Sequence, residues 1–321
     1  MEKSIEVAKN VVEIEAKAVA LLKDRIGEEF AKAVDIILNT KVRVIVTGLG
    51  KSGAIGRKIT STLTSTGTTA YFLHAAEGAH GDLGMVHRDD IVICISKSGE
   101  TAELYELLPV FKKLGIPIIA LTGKPDSTLG REATIVLDVS VKEEACPHDL
   151  APTSSTTVAL VMGDALSVAL LEKRDFSRED FAFLHPGGSL GRKLLTTVDD
   201  LMEKGDKLPS CTAFAEMRTV TIEMAHKRGI CPIVNEHFQI IGVITTGDLN
   251  RLIEHEENFF KLKAGEVMTK NPKIVKTGTL ASKALSQMEA FHVVAMPVVD
   301  DNKKLIGVVH LHDILDVGIK D

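Results

Sequence analysis

Short apolar runs recur through the first half of the chain, at 42–47, 69–73, 91–95, 117–121 and 135–139, with helical periodicity between them. Continuous apolar strands alternating with helices are strands covered on both faces. The pattern therefore predicts an α/β fold with a doubly wound parallel sheet. Upstream, residues 4–40 read as two amphipathic helices, with Ile5, Val12, Val19 and Leu22 in one stripe that caps the sheet or a partner subunit. From about 198 a different rhythm begins, and it repeats. VDDLM at 198–202 returns as AGEVM at 264–268, and GVITTGDL at 242–249 returns as GVVHLHDI at 307–314. Each copy reads as a helix, a strand near PIVN or PVVD, a tight polar turn, a second strand and a final helix. A period of about 65 residues is too long for a common solenoid and suits two small α/β modules packed on each other.

Candidate chemistry gathers where the early strands end. VTGLGKSGAIGRK at 46–58 and ISKSGETAE at 95–103 each break from an apolar strand into glycine and hydroxyl residues and then into a helix. That arrangement aims backbone N–H groups at an anion, so two such loops predict a phosphorylated ligand. In doubly wound sheets ligands sit beyond the carboxyl ends of the strands, which places both loops at one edge. Two nucleotide readings of the first loop fail on the residues. Gly48, Gly50 and Gly53 fit G-x-G-x-x-G, but the following strand, Thr69 to Leu73, ends in His74 where a ribose-binding acid belongs. A P-loop needs a glycine five positions before Gly50, and Ile45 stands there.

Composition narrows the classes. The 321 residues carry a net charge of -6, two Tyr, no Trp and no basic tract, which argues against a nucleic-acid surface. Cys94, Cys146, Cys211 and Cys231 are widely spaced, and the opening MEKSIEVAKN is too polar for an export signal. The expectation is a reduced, cytoplasmic protein with no apolar stretch reaching the roughly 18 residues that cross a bilayer. Eleven histidines show no H-x-x-x-H pair, so no metal is required, although zinc bound by His and Glu would inhibit. His310 and His312 are expected on one strand face within a module core. EEACPHDLAPTSSTT at 143–157 sets two acids before a Pro-broken loop whose Thr and Ser residues are expected to cap a long helix from about 153. HPGGSLGRK at 185–193 sets a histidine before a glycine turn.

These segments, with HGDLGM at 80–85 and GDAL at 163–166, resemble the sugar isomerase (SIS) fold, and more closely the bacterial D-arabinose 5-phosphate isomerases, in which a SIS domain precedes two CBS repeats. The likeness runs over nearly the whole chain. It implies N-terminal helices over 1–40, a SIS domain over 41–184, a linker at 185–197 that contributes to the active site, and a tandem CBS (Bateman) α/β module with repeats at 198–257 and 264–321. It departs from the family at Lys97, where Asn is common; a second cation beside a phosphate loop should leave binding intact. In CBS repeats a Thr and an Asp three residues later hold the ribose of an adenine nucleotide. Thr245 and Asp248 match, whereas Asp313 in the second repeat has His310 in place of Thr, so a structural, oligomer-forming module is the alternative.

The implied reaction is reversible conversion of D-ribulose 5-phosphate to D-arabinose 5-phosphate through an enediolate, without a cofactor, feeding synthesis of Kdo for lipopolysaccharide or capsule. Such an isomerase moves a proton between adjacent carbons, and one carboxylate or imidazole can carry it. Glu144 is the first choice, with Glu103 in reserve. Lys51 would stabilise the enediolate oxygen, while His185 would move protons between oxygens or open a cyclic sugar, and His80 belongs to a loop over the site. Ser52, Ser96, Ser98 and Thr101 would hold the phosphate. The plainer alternatives are a solvated Glu144–Lys142 pair, a helix-dipole role for Glu103 and structural roles for His80 and His185. The expected partners are a phosphosugar, a nucleotide or nucleotide-sugar effector at the CBS pair and copies of the chain in a homotetramer, with no nucleic acid and no membrane. Two competing functions are a phosphosugar-binding sensor and an isomerase of another phosphosugar.

Overall fold

The computed structural model describes residues 2–39 and 43–320, so Val42, the first residue of the earliest predicted strand, lies outside the described residues. The chain forms two compact units, one up to Phe181 and one from Ala182 on. In the first unit, α1 (Glu2–Leu22) and α2 (Glu28–Asn39) precede β1 (Val44–Gly48), α3 (Gly50–Ser65), β2 (Ala70–His74) and α4 (Ala75–Ala79). Then follow β3 (Ile91–Ser96), α5 (Ala102–Leu114), β4 (Ile118–Thr122), α6 (Thr128–Glu132), β5 (Ile135–Asp138) and α7 (Ser154–Lys173). All five strands pair in parallel, in the order β2-β1-β3-β4-β5.

Side-chain alternation divides this unit into two cores. Val44, Val46, Ile93, Ile119 and Leu137 face α1, α2, α3 and α7, whereas Ile45, Cys94, Ile118 and Ala120 face α4, α5 and α6. Burial on both faces explains why the strands read as unbroken apolar runs, since each fully buried Ile or Leu contributes about 1.5–3 kcal/mol. The expectation that no apolar stretch reaches bilayer-spanning length needs one correction: α7 does so by length and composition. Its Val158, Met162, Leu166 and Leu170 are buried in the first core, so this apolar face belongs to the interior of the unit, while Val168 is exposed.

The strand order puts a switch point between β1 and β3. From β1 the chain winds outward to β2 and then returns to the other side of β1 as β3. The strand ends lie in register, Gly48 against both His74 and Ile95, Ser96 against Thr122, and Thr122 against Asp138. Loops leaving β1 and β3 therefore diverge around one crevice, the ordinary ligand position in such sheets.

α8 (Arg178–Leu184) carries the boundary between the units, and α9 (Ser189–Leu195) and α10 (Val198–Leu201) open the second. There β6 (Cys211–Thr212), α11 (Met217–His226), β7 (Ile230–Val234), β8 (Ile240–Thr245) and α12 (Thr246–His255) form one module. After α13 (Ala264–Val267) and β9 (Thr269–Lys270), the second module repeats the plan with β10 (Val275–Lys276), α14 (Ala281–Phe291), β11 (Ala295–Val299), β12 (Leu305–His310) and α15 (Leu311–Asp316). The likeness reaches detail. The β7–β8 and β11–β12 hairpins share a register shift at the matching place, Ile233/Val234 and Val298/Val299. Asn235 and Asp300 each accept two backbone N–H bonds within the hairpin turn.

The two repeats exchange their opening segments. Val198 and Met202 sit in the core of the second module, and Ala264, Val267 and Met268 pack with the core of the first. Backbone bonds fix the exchange: Val198 N–H donates to Thr279, and Gly265 N–H donates to Ala213. His310 ends β12 and is buried, but His312 lies on α15, so the two do not share a strand face.

Candidate functional site

At the carboxyl edge of the parallel sheet, β1 turns into α3 through Leu49. A Cβ on Gly53 would stand 2.9 Å from the Gly48 carbonyl oxygen, so glycine here lets the helix start directly against the strand. Lys51 is exposed and Ser52 half-buried in the first turn of α3. After β3 the second loop folds on itself. The Ser96 hydroxyl accepts the Gly99 N–H at 3.0 Å and shares a 2.8 Å hydrogen bond with the Thr101 hydroxyl, and Ser98 accepts the Glu100 N–H at 3.1 Å. Gly99 sits at φ +62°, against Ser127 and Thr122, where a side chain has no room.

Leu49 and Thr101, which precede α3 and α5, supply no side-chain cap. The first N–H groups of both helices, together with their dipoles, are thus directed at the crevice.

The third helix at this edge differs. Thr153 precedes α7 but supplies no side-chain cap, contrary to the expectation from its Thr and Ser residues. The cap is Glu144, nine residues upstream, which accepts the N–H groups of Thr153 at 2.8 Å and Ser155 at 3.0 Å. The hydroxyls of Thr153 and Ser155 also donate to it. Glu144 is 3% exposed and pairs with Lys97, Nζ to Oε1 at 2.6 Å, not with Lys142 on a solvated face. Burial works to raise its pKa, but the Lys97 ammonium, the Ser155 hydroxyl and the two backbone N–H groups prevail and hold it at about 2. Lys97, Ser52, Pro152, Ser155 and Thr156 line a crevice of about 40 Å³ beside this pair.

The structure thus draws Ser52, Ser96, Ser98, Thr101 and Glu144 to one sheet edge, with Lys51 and Glu103 in the first turns of α3 and α5. His80 follows α4 and is exposed, while His185 is half-buried in the second unit. Sequence reasoning passed over Ser155, weighed only as a helix cap, and the partnership of Lys97. It also passed over His74, which ends β2 in register with Gly48 and has a buried Nδ1 without a hydrogen-bond partner among the described residues. Its signal was present, a polar residue closing an apolar strand at the ligand edge.

The second unit has its own cleft, about 490 Å³, lined by Thr245, Asp248, Arg228, Lys273, His292 and Val294 among others. Thr245 and Asp248 cap α12 reciprocally: the Asp248 carboxylate accepts the Thr245 N–H at 2.9 Å and its hydroxyl at 2.7 Å. Asp313 is engaged elsewhere, accepting two bonds from Arg228 at 2.7 and 2.9 Å.

Comparison with known proteins gives these features a family. The SIS domain model matches residues 36–169, and the CBS domain model matches residues 264–320. Arabinose 5-phosphate isomerase KdsD of Pseudomonas aeruginosa is 46% identical over 97% of this chain and 96% of its own length. KdsD of Escherichia coli K12 is 46% identical over 97% of this chain and 95% of its own. A solved Escherichia coli CFT073 protein in complex with arabinose 5-phosphate is 43% identical and superposes with a TM-score of 0.56, covering 58% of this chain and 98% of that one. With likeness spread over almost its full length and both domain types in the same order, the chain belongs to the arabinose 5-phosphate isomerase family, in which a SIS domain precedes a CBS pair.

Proposed function

We propose that the chain interconverts D-ribulose 5-phosphate and D-arabinose 5-phosphate by proton transfer through an enediolate. The observation that carries this reading is the pair of uncapped helix N-termini, α3 and α5, flanking the switch point of the sheet in a chain whose relatives are arabinose 5-phosphate isomerases. A phosphate seated there meets backbone N–H groups and the hydroxyls of Ser52, Ser98 and Thr101, with Ser96 bracing the loop from within. Lys51, exposed at the start of α3, supplies the cation for the enediolate oxygen. A carboxylate, Glu144 or Glu103, carries the carbon-bound proton, His185 moves protons between the oxygens or opens the ring, and His80 belongs to a loop over the site. In this reading the segment 185–197 contributes to the active site, and the chemistry needs no cofactor.

The chain in this reading is a cytoplasmic homotetramer that supplies Kdo synthesis for lipopolysaccharide or capsule. Ile5 and Val12 on α1 are 52% and 69% exposed, an apolar face suited to another copy. The Thr245–Asp248 cleft is the proposed place for a nucleotide or nucleotide-sugar effector, and the Arg228–Asp313 pair argues against a second such site.

Proton NMR of ribulose 5-phosphate incubated with the protein in heavy water tests the reading. Arabinose 5-phosphate carrying deuterium at C2, lost in Lys51→Ala, is the expected result. Binding without turnover would assign the chain to the sensor class, and turnover confined to another phosphosugar in a pentose and hexose panel would replace the substrate.

A further inference from the structure

We infer that Lys97 is a positioning residue that, by holding Glu144, braces one wall of the sugar-phosphate crevice, and that Glu144 is a fixed anion of that wall, leaving the proton shuttle to Glu103. The inference rests on the isomerase reading and divides its two carboxylates. Lys97 is the first residue past β3, and Glu144 lies six residues past Asp138 at the end of β5. Because β4 lies between those strands, the 2.6 Å ion pair reaches across the end of β4 and ties two loops that share no backbone ladder. Ser52, in the first turn of α3 just past β1, lines the same crevice.

The acceptor capacity of Glu144 is used up. Its Oε1 receives the Ser155 hydroxyl and the Lys97 ammonium, and its Oε2 receives the Thr153 N–H, the Thr153 hydroxyl and the Ser155 N–H. An ionised carboxylate offers about four lone-pair sites, and these five donors leave none for a substrate proton. Every donor favours the anion, whereas an efficient general base holds its proton near the working pH. Lys97 is itself seated: its carbonyl accepts the Gly123 N–H at 3.1 Å, and its side chain, 44% exposed, ends on the buried carboxylate. Removing it leaves Glu144 buried without its cation and the two loops without their tie. Glu103, half-exposed in the first turn of α5, carries no such set of donors among the described residues.

The test compares the wild-type protein with Lys97→Met, Lys97→Arg and Glu144→Gln, using steady-state kinetics over a pH series and calorimetric binding of inorganic phosphate. Lys97→Met is expected to raise KM about tenfold while kcat falls less and its acidic limb stays in place, a split that marks a positioning role. Lys97→Arg should restore most of the loss. Glu144→Gln should keep deuterium incorporation at about 10% of wild type or more, above the roughly 1% or less that a missing base leaves. Phosphate should bind more weakly to both Lys97→Met and Glu144→Gln. Wild-type kinetics in Lys97→Met, an acidic limb that moves upward in it, or a Glu144→Gln protein that binds phosphate but exchanges no deuterium would overturn the inference. Tighter phosphate binding by Glu144→Gln would also overturn it, because it would make Lys97 a direct ligand released from its partner. If the wild-type protein isomerises nothing, the functional reading fails, and the phosphate measurements still decide the role of the pair.

Discussion

Glu144 makes the stability of the first unit depend on acid in a calculable way. Its carboxyl, with an ordinary value of 4.5, is held at about 2 when folded, because burial is outweighed by Lys97, Ser155 and the α7 N-terminus. The unfolded chain therefore takes up this proton first, and the stabilisation, complete above 4.5, drains away as the pH falls toward 2. The whole span is worth about 3 kcal/mol, of which about 1.4 kcal/mol is gone by pH 3.5. Glu144→Gln has no such proton to bind. All other carboxyl groups are common to both proteins, so the difference between them isolates this one. Urea unfolding followed by tyrosine fluorescence reads the right unit, since the chain has no Trp and its two tyrosines, Tyr71 and Tyr105, both precede Phe181. The wild-type protein should exceed the variant by about 3 kcal/mol near neutrality, and the gap should narrow by about 1.4 kcal/mol at pH 3.5. A gap of equal size at both pH values would refute the reasoning, because it would mean that folding leaves the titration of the Glu144 carboxyl unchanged.

Two glycine substitutions probe the architecture around the site. Gly99→Ala adds a carbon 1.8 Å from the Ser127 hydroxyl oxygen at φ +62°, so it should cost about 2 kcal/mol and displace the second loop. The check is thermal unfolding with and without inorganic phosphate, where the variant should lose the phosphate-induced rise in Tm. Gly163→Ala brings a methyl within 2.4 Å of Ile59 where α7 crosses α3, and overpacking there should lower stability by about 1–3 kcal/mol in urea unfolding. Pairing it with Ile59→Val should recover part of that loss, because the two side chains compete for one space.

The elements that the sequence declared best are those whose residues answer to one local constraint. The five early strands fall within about two residues of the apolar runs, and the central three, β1, β3 and β4, are buried along their whole length, which keeps them apolar almost to their ends. Sheet order was out of reach: that Gly48 pairs with both His74 and Ile95 depends on how helices pack, not on any strand's own letters. The cap of α7 failed for a related reason. Thr153 and Ser155 have the right chemistry for a cap, but a carboxylate nine residues upstream supplies more acceptor capacity, and a Pro-broken loop let it return.

Lys97 illustrates the same limit at the candidate site. Beside a phosphate loop it read as a harmless second cation, since its anionic partner is 47 residues away in sequence and adjacent only once β4 separates β3 from β5. The repeat pair carries the point further. Self-similarity marks VDDLM and AGEVM as equivalent, but equivalence means that either segment fits either core, and composition cannot choose between them. The structure docks each on the other copy's module, with Met202 in one core and Met268 against the other. Each module is thereby closed by a segment of its neighbour, which makes the two cores mutually dependent. A stretch matching one repeat by sequence, 264–320, is therefore not a unit that can fold with its core complete.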